Sequence, residues 1–566
     1  MRNLLRILIW VVAVSLVRPL CAQSVLTHPA AEAQRSNAVD DATLLEYIQK
    51  AWDTLSRSMS DCNSLIDPKV TTTPILYLPA EMETPTDVAA MQQHCKVDVE
   101  HLPKKITHMG DVSVSSISRP GLLYLPNRYV VPGGRFNEMY GWDSFFIILG
   151  LVDNGRTDLA HGMVENFFFE IENYGAILNA NRTYFFTRSQ PPLLSSMIQT
   201  VYEAESKQDA AKGKAWLQRA YAYAERDYAM WSHEPHLAGK TGLARYTDIG
   251  AGPVPEMADD NQYYPDVIRW LLAHPTIHTD YLMDAPENPT PAQAEALAKS
   301  SCDIQASNVC AHAYAKGNRL TSNFYAGDRA MRESGFDPSF RFGPFSGSTE
   351  NYAPICLNSL LYKYEQDMAR FARLLGKNTD QSRWLALARA RRAAIDRYQW
   401  NSAKGMYYDY DFVTGKQSSY KYITAFYPLW AGLSSKHQSM QVQKHLSMFE
   451  HAGGLAMSDY DSGLQWDLPF GWAPTNWFAV EGLEAAGFHE DARRVSREFT
   501  GMVRQNFERD QTVREKYNVL TGSTTVNLSV GYRSNVVGFG WTNGTYLEMR
   551  QLLGAKGAPT ASAATP

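Results

Sequence analysis

Only 6 of the 566 residues are cysteine, and no CxxC pair or His-rich cluster occurs, so the chain offers no ligand set for a structural zinc. It also lacks any block of lysines and arginines. With 54 basic against 59 acidic residues the net charge is −5, which excludes the phosphate-neutralising surface that nucleic acid requires. The apolar run at residues 7–17 is too short to span a bilayer. Clean alternation of apolar and polar residues, the mark of a half-buried strand, is scarce. Aromatic residues are abundant instead: 13 Trp and 31 Tyr suit either a large core or a carbohydrate cleft, and composition does not separate the two.

The N-terminus reads as a secretory signal. Arg2 and Arg6 precede the apolar run, and Leu20-Cys21-Ala22 forms a cleavage site before Gln23. Arg18 and Pro19 stand where a lipobox would need leucine and small residues, which argues against a lipoprotein. The expected location is periplasmic or secreted, with no membrane contact once residues 1–22 are removed. In an oxidising compartment Cys62 can bridge to Cys95 and Cys302 to Cys310, leaving Cys356 free and buried.

Residues 23–40 are polar and Ala-rich without periodicity and read as a flexible leader. Helical spacing follows at 44–59, and the Pro- and Thr-rich stretch 62–123 reads as extended segments wrapping over a domain. Helical patterns then recur at 144–151, 159–173, 192–206, 210–232, 265–273, 291–300, 355–375, 378–398, 422–433, 437–449, 475–486, 489–507 and 545–553. Between them lie loops rich in Gly, Pro and aromatics. Paired helices with such loops on one side describe an all-α barrel with a cleft at one end. The organisation expected is a signal (1–22), a leader and wrapping segment (23–122), a helical barrel domain (123–553) and a disordered tail (554–566).

The stretch 131–146, VPGGRFNEMYGWDSFF, concentrates unusual chemistry. Two glycines let the backbone turn tightly, and within nine residues they deliver Arg135, Phe136, Glu138, Tyr140, Trp142 and Asp143. A polyhydroxylated ligand wants this set: charged groups for paired hydroxyls, and ring faces for its C–H face. Cleavage of a glycosidic bond needs two carboxyl groups, one protonated and one able to activate water. Asp337 follows a tight Glu-Ser-Gly-Phe turn, where a pocket between Phe336 and Phe340 would raise its pKa. Glu515 has Arg514 and Lys516 beside it. Taken alone, Asp337 also reads as a turn cap and Glu515 as one more solvated charge. Asp143, Asp467 and Glu138 read as hydroxyl acceptors or as anchors for loop arginines.

Several ordered motifs carry a resemblance. PGGRFNEMYGWDS (132–144), NRTYFFTRSQPP (181–192), ESGFD (333–337), QWDLPFGWAP (465–474), EKYN (515–518) and GFGWTNG (538–544) together resemble the trehalases, glycoside hydrolase family 37. The resemblance implies an (α/α)6 barrel and inverting hydrolysis of α,α-trehalose, with Asp337 as general acid and Glu515 as general base. It further implies that Arg135, Asn179, Arg188 and Gln190 bind substrate, that Phe136, Tyr140, Trp142 and Trp466 form aromatic walls, and that Asp143 and Glu256 complete the site. The expected partner is a small sugar, with no metal or organic cofactor, and the chain is expected to be a monomer.

Two departures bear on the sugar. Where the family has PRPE the chain has Pro253-Val254-Pro255-Glu256, so an arginine is replaced by valine. The Gly-rich lid before GFGWTNG is also changed, and Tyr532 stands in place of a glutamate, with Arg533 beside it as a possible replacement charge. Two alternatives follow: the same machinery acting on another α-glucosidic disaccharide, and a catalytically retired carbohydrate-binding protein.

Overall fold

The chain folds into an inner and an outer ring of helices, each presenting its apolar residues to the core. In the computed structural model, which describes residues 29–66, 72–113, 116–117, 119–277, 279–301, 307–532 and 534–554, the helices that form the barrel and carry its site are, in order, α1 (Pro29–Thr54), α2 (Asp143–Asp153), α3 (Thr157–Asn173), α4 (Leu194–Ser206) and α5 (Ala210–Trp231). There follow α6 (Ser322–Glu333), α7 (Ile355–Leu374), α8 (Asn378–Tyr398), α9 (Tyr427–Trp430), α10 (Lys436–Gln443), α11 (Ala473–Ala485), α12 (His489–Asp510) and α13 (Gly540–Gly554). Helices α2, α4, α7, α9, α11 and α13 touch in that cyclic order, and α13 returns to α2, closing an inner ring. Outside it lie α1, α3, α5, α8, α10 and α12. This is the (α/α)6 barrel.

The sequence of each ring fits its place. The inner α2, DSFFIILGLVD, buries eight of its residues, Asp143 to Ile148 together with Gly150 and Leu151. The outer α8 buries only Trp384, Ala388, Arg391 and Ile395, a stripe at spacings of three and four. Inner helices approach very closely where glycine permits it: a Cβ on Gly544 of α13 would lie 2.0 Å from the Phe146 carbonyl oxygen of α2.

Four sequence expectations change. The stretch read as a flexible leader contributes the start of α1 from Pro29 onward, because Ala, Glu and Gln favour helix without needing an apolar face. The wrapping segment holds a three-stranded parallel sheet, Ile75–Leu78 between Asp98–His101 and Leu122–Leu123. The helical pattern read from 545 starts earlier, so that GFGWTNG is helical from Gly540. Helix α6 carried no recognised pattern, because Asp328, Arg329, Arg332 and Glu333 look like a solvated face and are in fact buried. Each is paired inside: Arg329 with Asp248 at 3.0 Å, Arg332 with Asp328 at 3.2 Å, and Glu333 with the Ser189 and Thr247 backbone N–H groups at 3.1 and 2.7 Å.

Cys62 and Cys95 form a disulfide, and Cys356 is free and buried. Cys310 is disulfide-bonded, and its expected partner Cys302 lies outside the described residues, as do the signal, the tail beyond residue 554 and Arg533. Among the described residues no helix is long and apolar enough to cross a membrane.

Candidate active site

At one end of the barrel the connecting segments enclose a cavity of about 260 Å³. The loop before α2 supplies Arg135, Phe136, Tyr140 and Trp142, the first residue of α2 is Asp143, and the α3–α4 connection supplies Asn179, Arg188 and Gln190. Glu256 comes from a 3-10 turn, Asp337 from the turn after α6, Trp466 from the loop before α11, and Glu515 from the residue ahead of strand Lys516–Asn518. Every site residue implied by the motif resemblance therefore lines this one cavity.

Backbone geometry explains why two glycines recur in these motifs. A Cβ on Gly133 would lie 2.7 Å from Val536, so the glycine lets the first loop pack against the segment leading into α13. Gly335 has φ +76° and would place a Cβ 2.9 Å from the Trp142 ring. It ends α6 in the left-handed conformation and turns the chain so that Asp337 reaches the cavity.

Four indoles form one wall. Trp466 stacks on Trp472 with ring centroids 3.8 Å apart and an interplanar angle of 3°. Trp142 lies 6.0 Å from Trp466, and Trp541 lies 5.7 Å from Trp142. All four line the cavity, and such rings offer flat faces for sugar C–H groups. Trp472 and Trp541 were not singled out from the sequence, although both stand inside the quoted motifs.

The carboxyl groups are held differently. Burial raises the Asp337 pKa to about 6, Arg332 and Arg188 pull it down, and Glu256 pushes it up. Its aromatic neighbours in sequence are not its pocket: Phe336 packs on Trp142 and Trp466, and Phe340 on Trp270 and Phe345. Glu515 Oε2 lies 3.5 Å from Lys516 Nζ and 3.4 Å from the Val536 backbone N–H. Arg514, expected beside it, instead donates to the Asn535 carbonyl at 3.2 Å and faces Asp510. Asp143 and Glu256 are the further carboxyl groups in the cavity, and Asp143 is the more deeply buried. Burial holds it well above the usual carboxylate range, and the charges of Glu515 and Asp337 act in the same direction.

The other expected carboxyl groups are anchors. Glu138 pairs with Arg182 at 2.6 Å, both buried. Asp467 accepts from Ser462 at 2.6 Å, Tyr420 at 2.8 Å and the Phe340 backbone at 2.8 Å, and it does not line the cavity. Two expected sugar ligands also hold the scaffold. Gln190 accepts from the Trp142 backbone at 2.9 Å, and Asn179 donates to the Ser189 and Arg332 carbonyls.

Arg188 pairs with Glu256 and, at 3.5 Å, with Asp248. Arg188 Nε and Glu256 Oε2 are buried without a hydrogen-bond partner, at the cavity wall. Buried polar atoms are nearly always satisfied, so this pair is fitted to receive hydroxyl groups. Arg332 is the cation that sequence reading missed. It lines the cavity 3.6 Å from Asp337, and the signal that could have found it is the Asp328–Arg332 spacing of four on a helix that Gly335 terminates. Val254 lies on the far side of the wall, wholly buried in an apolar cluster against which Tyr532 packs.

A family model described as Trehalase matches residues 27–269 and 272–554. A probable trehalase of Eremothecium gossypii is 34% identical over 555 residues, covering 88% of this chain and 70% of that protein. The cytosolic neutral trehalase of Saccharomyces cerevisiae is 33% identical over 88% of this chain and 69% of its own length. Among solved structures, neutral trehalase Nth1 from Saccharomyces cerevisiae aligns with a TM-score of 0.74 at 32% identity, covering 90% of this chain and 93% of that one. The S. cerevisiae relative and others from Kluyveromyces lactis and Neurospora crassa are named cytosolic. They overturn the periplasmic or secreted location expected from the N-terminus. A basic start followed by an apolar run is a composition that the packed fold does not constrain, so it made a weak basis for an address. A barrel of this topology, an indole-lined cavity holding the motif carboxyl groups, and matches along nearly the whole chain lead to one conclusion: the chain belongs to the trehalases, glycoside hydrolase family 37.

Proposed function

We propose that the chain hydrolyses α,α-trehalose to two glucose molecules by a single displacement with inversion, with Asp337 as general acid and Glu515 as general base. The observation that carries the reading is the contrast between these two side chains in one cavity. Asp337 keeps its proton up to about pH 6, and Glu515 sits under an ammonium and a backbone N–H. In the step, Glu515 takes a proton from water as the water oxygen bonds to the anomeric carbon. The glycosidic C–O bond breaks, and its oxygen takes the Asp337 proton. Asp143, Arg188 and Glu256 take sugar hydroxyls, and the indoles take the ring faces. Relatives named trehalases support the substrate.

Asp337→Asn and Glu515→Gln should each lower kcat by about a hundredfold or more while the circular dichroism spectrum is kept. Near-parental turnover in either variant would remove that residue from the mechanism. A second reading, cleavage of another α-glucosidic disaccharide, is favoured by the apolar Val254 and by Tyr532. Glucose release from a disaccharide panel separates the two, and trehalose is expected to give the highest kcat/KM because Arg332 keeps a cation in the cavity.

A further inference from the structure

Arg332, in the last turn of α6, is held on three sides. Its Nε donates to Asp328 Oδ2 at 3.2 Å, its Nη2 approaches Asp328 Oδ1 at 3.4 Å, and its guanidinium lies 5.2 Å from the Tyr263 ring centroid. Nη1 is shared between two neighbours. It donates to the Tyr532 hydroxyl at 2.9 Å and stands 3.6 Å from Asp337 Oδ2. The hydroxyl in turn lies 3.4 Å from Met257 Sδ, and the ring packs on the cluster that contains Val254.

We propose that Tyr532 is a positioning residue whose hydroxyl fixes the Arg332 guanidinium beside Asp337 and so governs how readily Asp337 releases its proton. The inference rests on the reading of Asp337 as general acid. A neutral hydroxyl satisfies the Nη1 donor without cancelling the guanidinium charge, whereas a carboxylate at the same place would cancel it. The charges facing Asp337 come from every side: Arg332 from α6, Arg188 from the α3–α4 connection, Glu256 from the 3-10 turn, Asp143 from α2 and Lys516 from the strand after Glu515. Arg332 itself faces Asp328, Tyr263, Tyr264, Tyr532 and Arg188.

The test is the pH dependence of kcat/KM on trehalose for the parent, Tyr532→Phe and Tyr532→Glu. The acid must be protonated, so its ionisation sets the alkaline limb. In Tyr532→Phe, Nη1 keeps Asp337 as its acceptor, and the limb should move to lower pH by roughly 0.5–1 unit. In Tyr532→Glu the new carboxylate neutralises Arg332, and the limb should move to higher pH by a similar amount. Limbs that stay in place, or move in the same direction in both variants, overturn the proposal and leave Tyr532 as part of a wall. If Tyr532→Glu does not fold, Tyr532→Gln, neutral and able to accept from Nη1, should keep the parental limb, and a shift as large as that of Tyr532→Phe overturns the proposal. Asp337→Asn is measured alongside: if it retains turnover the general-acid reading fails, whatever the Tyr532 variants do.

Discussion

Asp337 gathers opposing influences on a single carboxyl group. Burial raises its pKa to about 6, above that of an unfolded aspartate, so the folded state resists its ionisation. The sign follows from linkage: the penalty is absent below pH ~4, where folded and unfolded forms are both protonated, and it grows as pH rises toward the folded value. Asp337→Asn cannot ionise and should escape this cost. Thermal melts should therefore show the variant gaining stability over the parent at pH 7.5 and gaining much less at pH 4. An equal difference at both pH values would mean that the carboxyl is not held protonated. The same residue shows how far sequence reaches. The turn that delivers it is legible in ESGFD, but its surroundings are not, because Arg188 and Glu256 come from distant segments and Phe340 packs elsewhere.

Among the elements, the contact between α2 and α13 is the tightest test of the ring. A methyl group on Gly544 would sit 2.0 Å from the Phe146 carbonyl oxygen, a backbone atom with no room to yield. Gly544→Ala should force the two inner helices apart and cost about 1–3 kcal/mol or more. A methyl group on Gly501, inside the outer helix α12, would meet nothing within 4 Å. Gly501→Ala should stabilise by about 0.5–1 kcal/mol through lower chain entropy and better helix propensity. Urea unfolding of the two variants checks both signs. Helix α6 carries the complementary lesson. Its charged residues hide it from a reading that equates charge with solvent, and only the pairing of Arg329, Arg332 and Glu333 inside the fold makes it a buried helix.

For the whole molecule, the first and last described helices meet. Asp41 of α1 accepts from Tyr546 and Arg550 of α13, both at 2.6 Å, and α13 fills the gap between α2 and α11. A barrel missing one inner helix would expose the apolar faces of its neighbours. Deleting residues 540–554 should therefore abolish cooperative unfolding rather than trim stability. A single steep urea transition in the truncated chain would show that the ring does not need closure.

The sequence by itself determined the helical class, the glycine-shaped loops and many of the groups that line the cavity, Arg332, Trp472 and Trp541 apart, because these depend on local periodicity and on short motifs. Which of those groups are left for a ligand was decided only by the tertiary structure. Glu138 and Asp467 look like Asp143 and Glu256 in sequence, yet their partners, Arg182 in one case and Ser462 and Tyr420 in the other, consume their oxygens. Glu256 keeps one buried oxygen unpaired. Hydrogen-bond satisfaction is a property of neighbours in space, and partners such as Arg182 for Glu138 and Tyr420 for Asp467, more than forty positions away, are what no reading along the chain can pair.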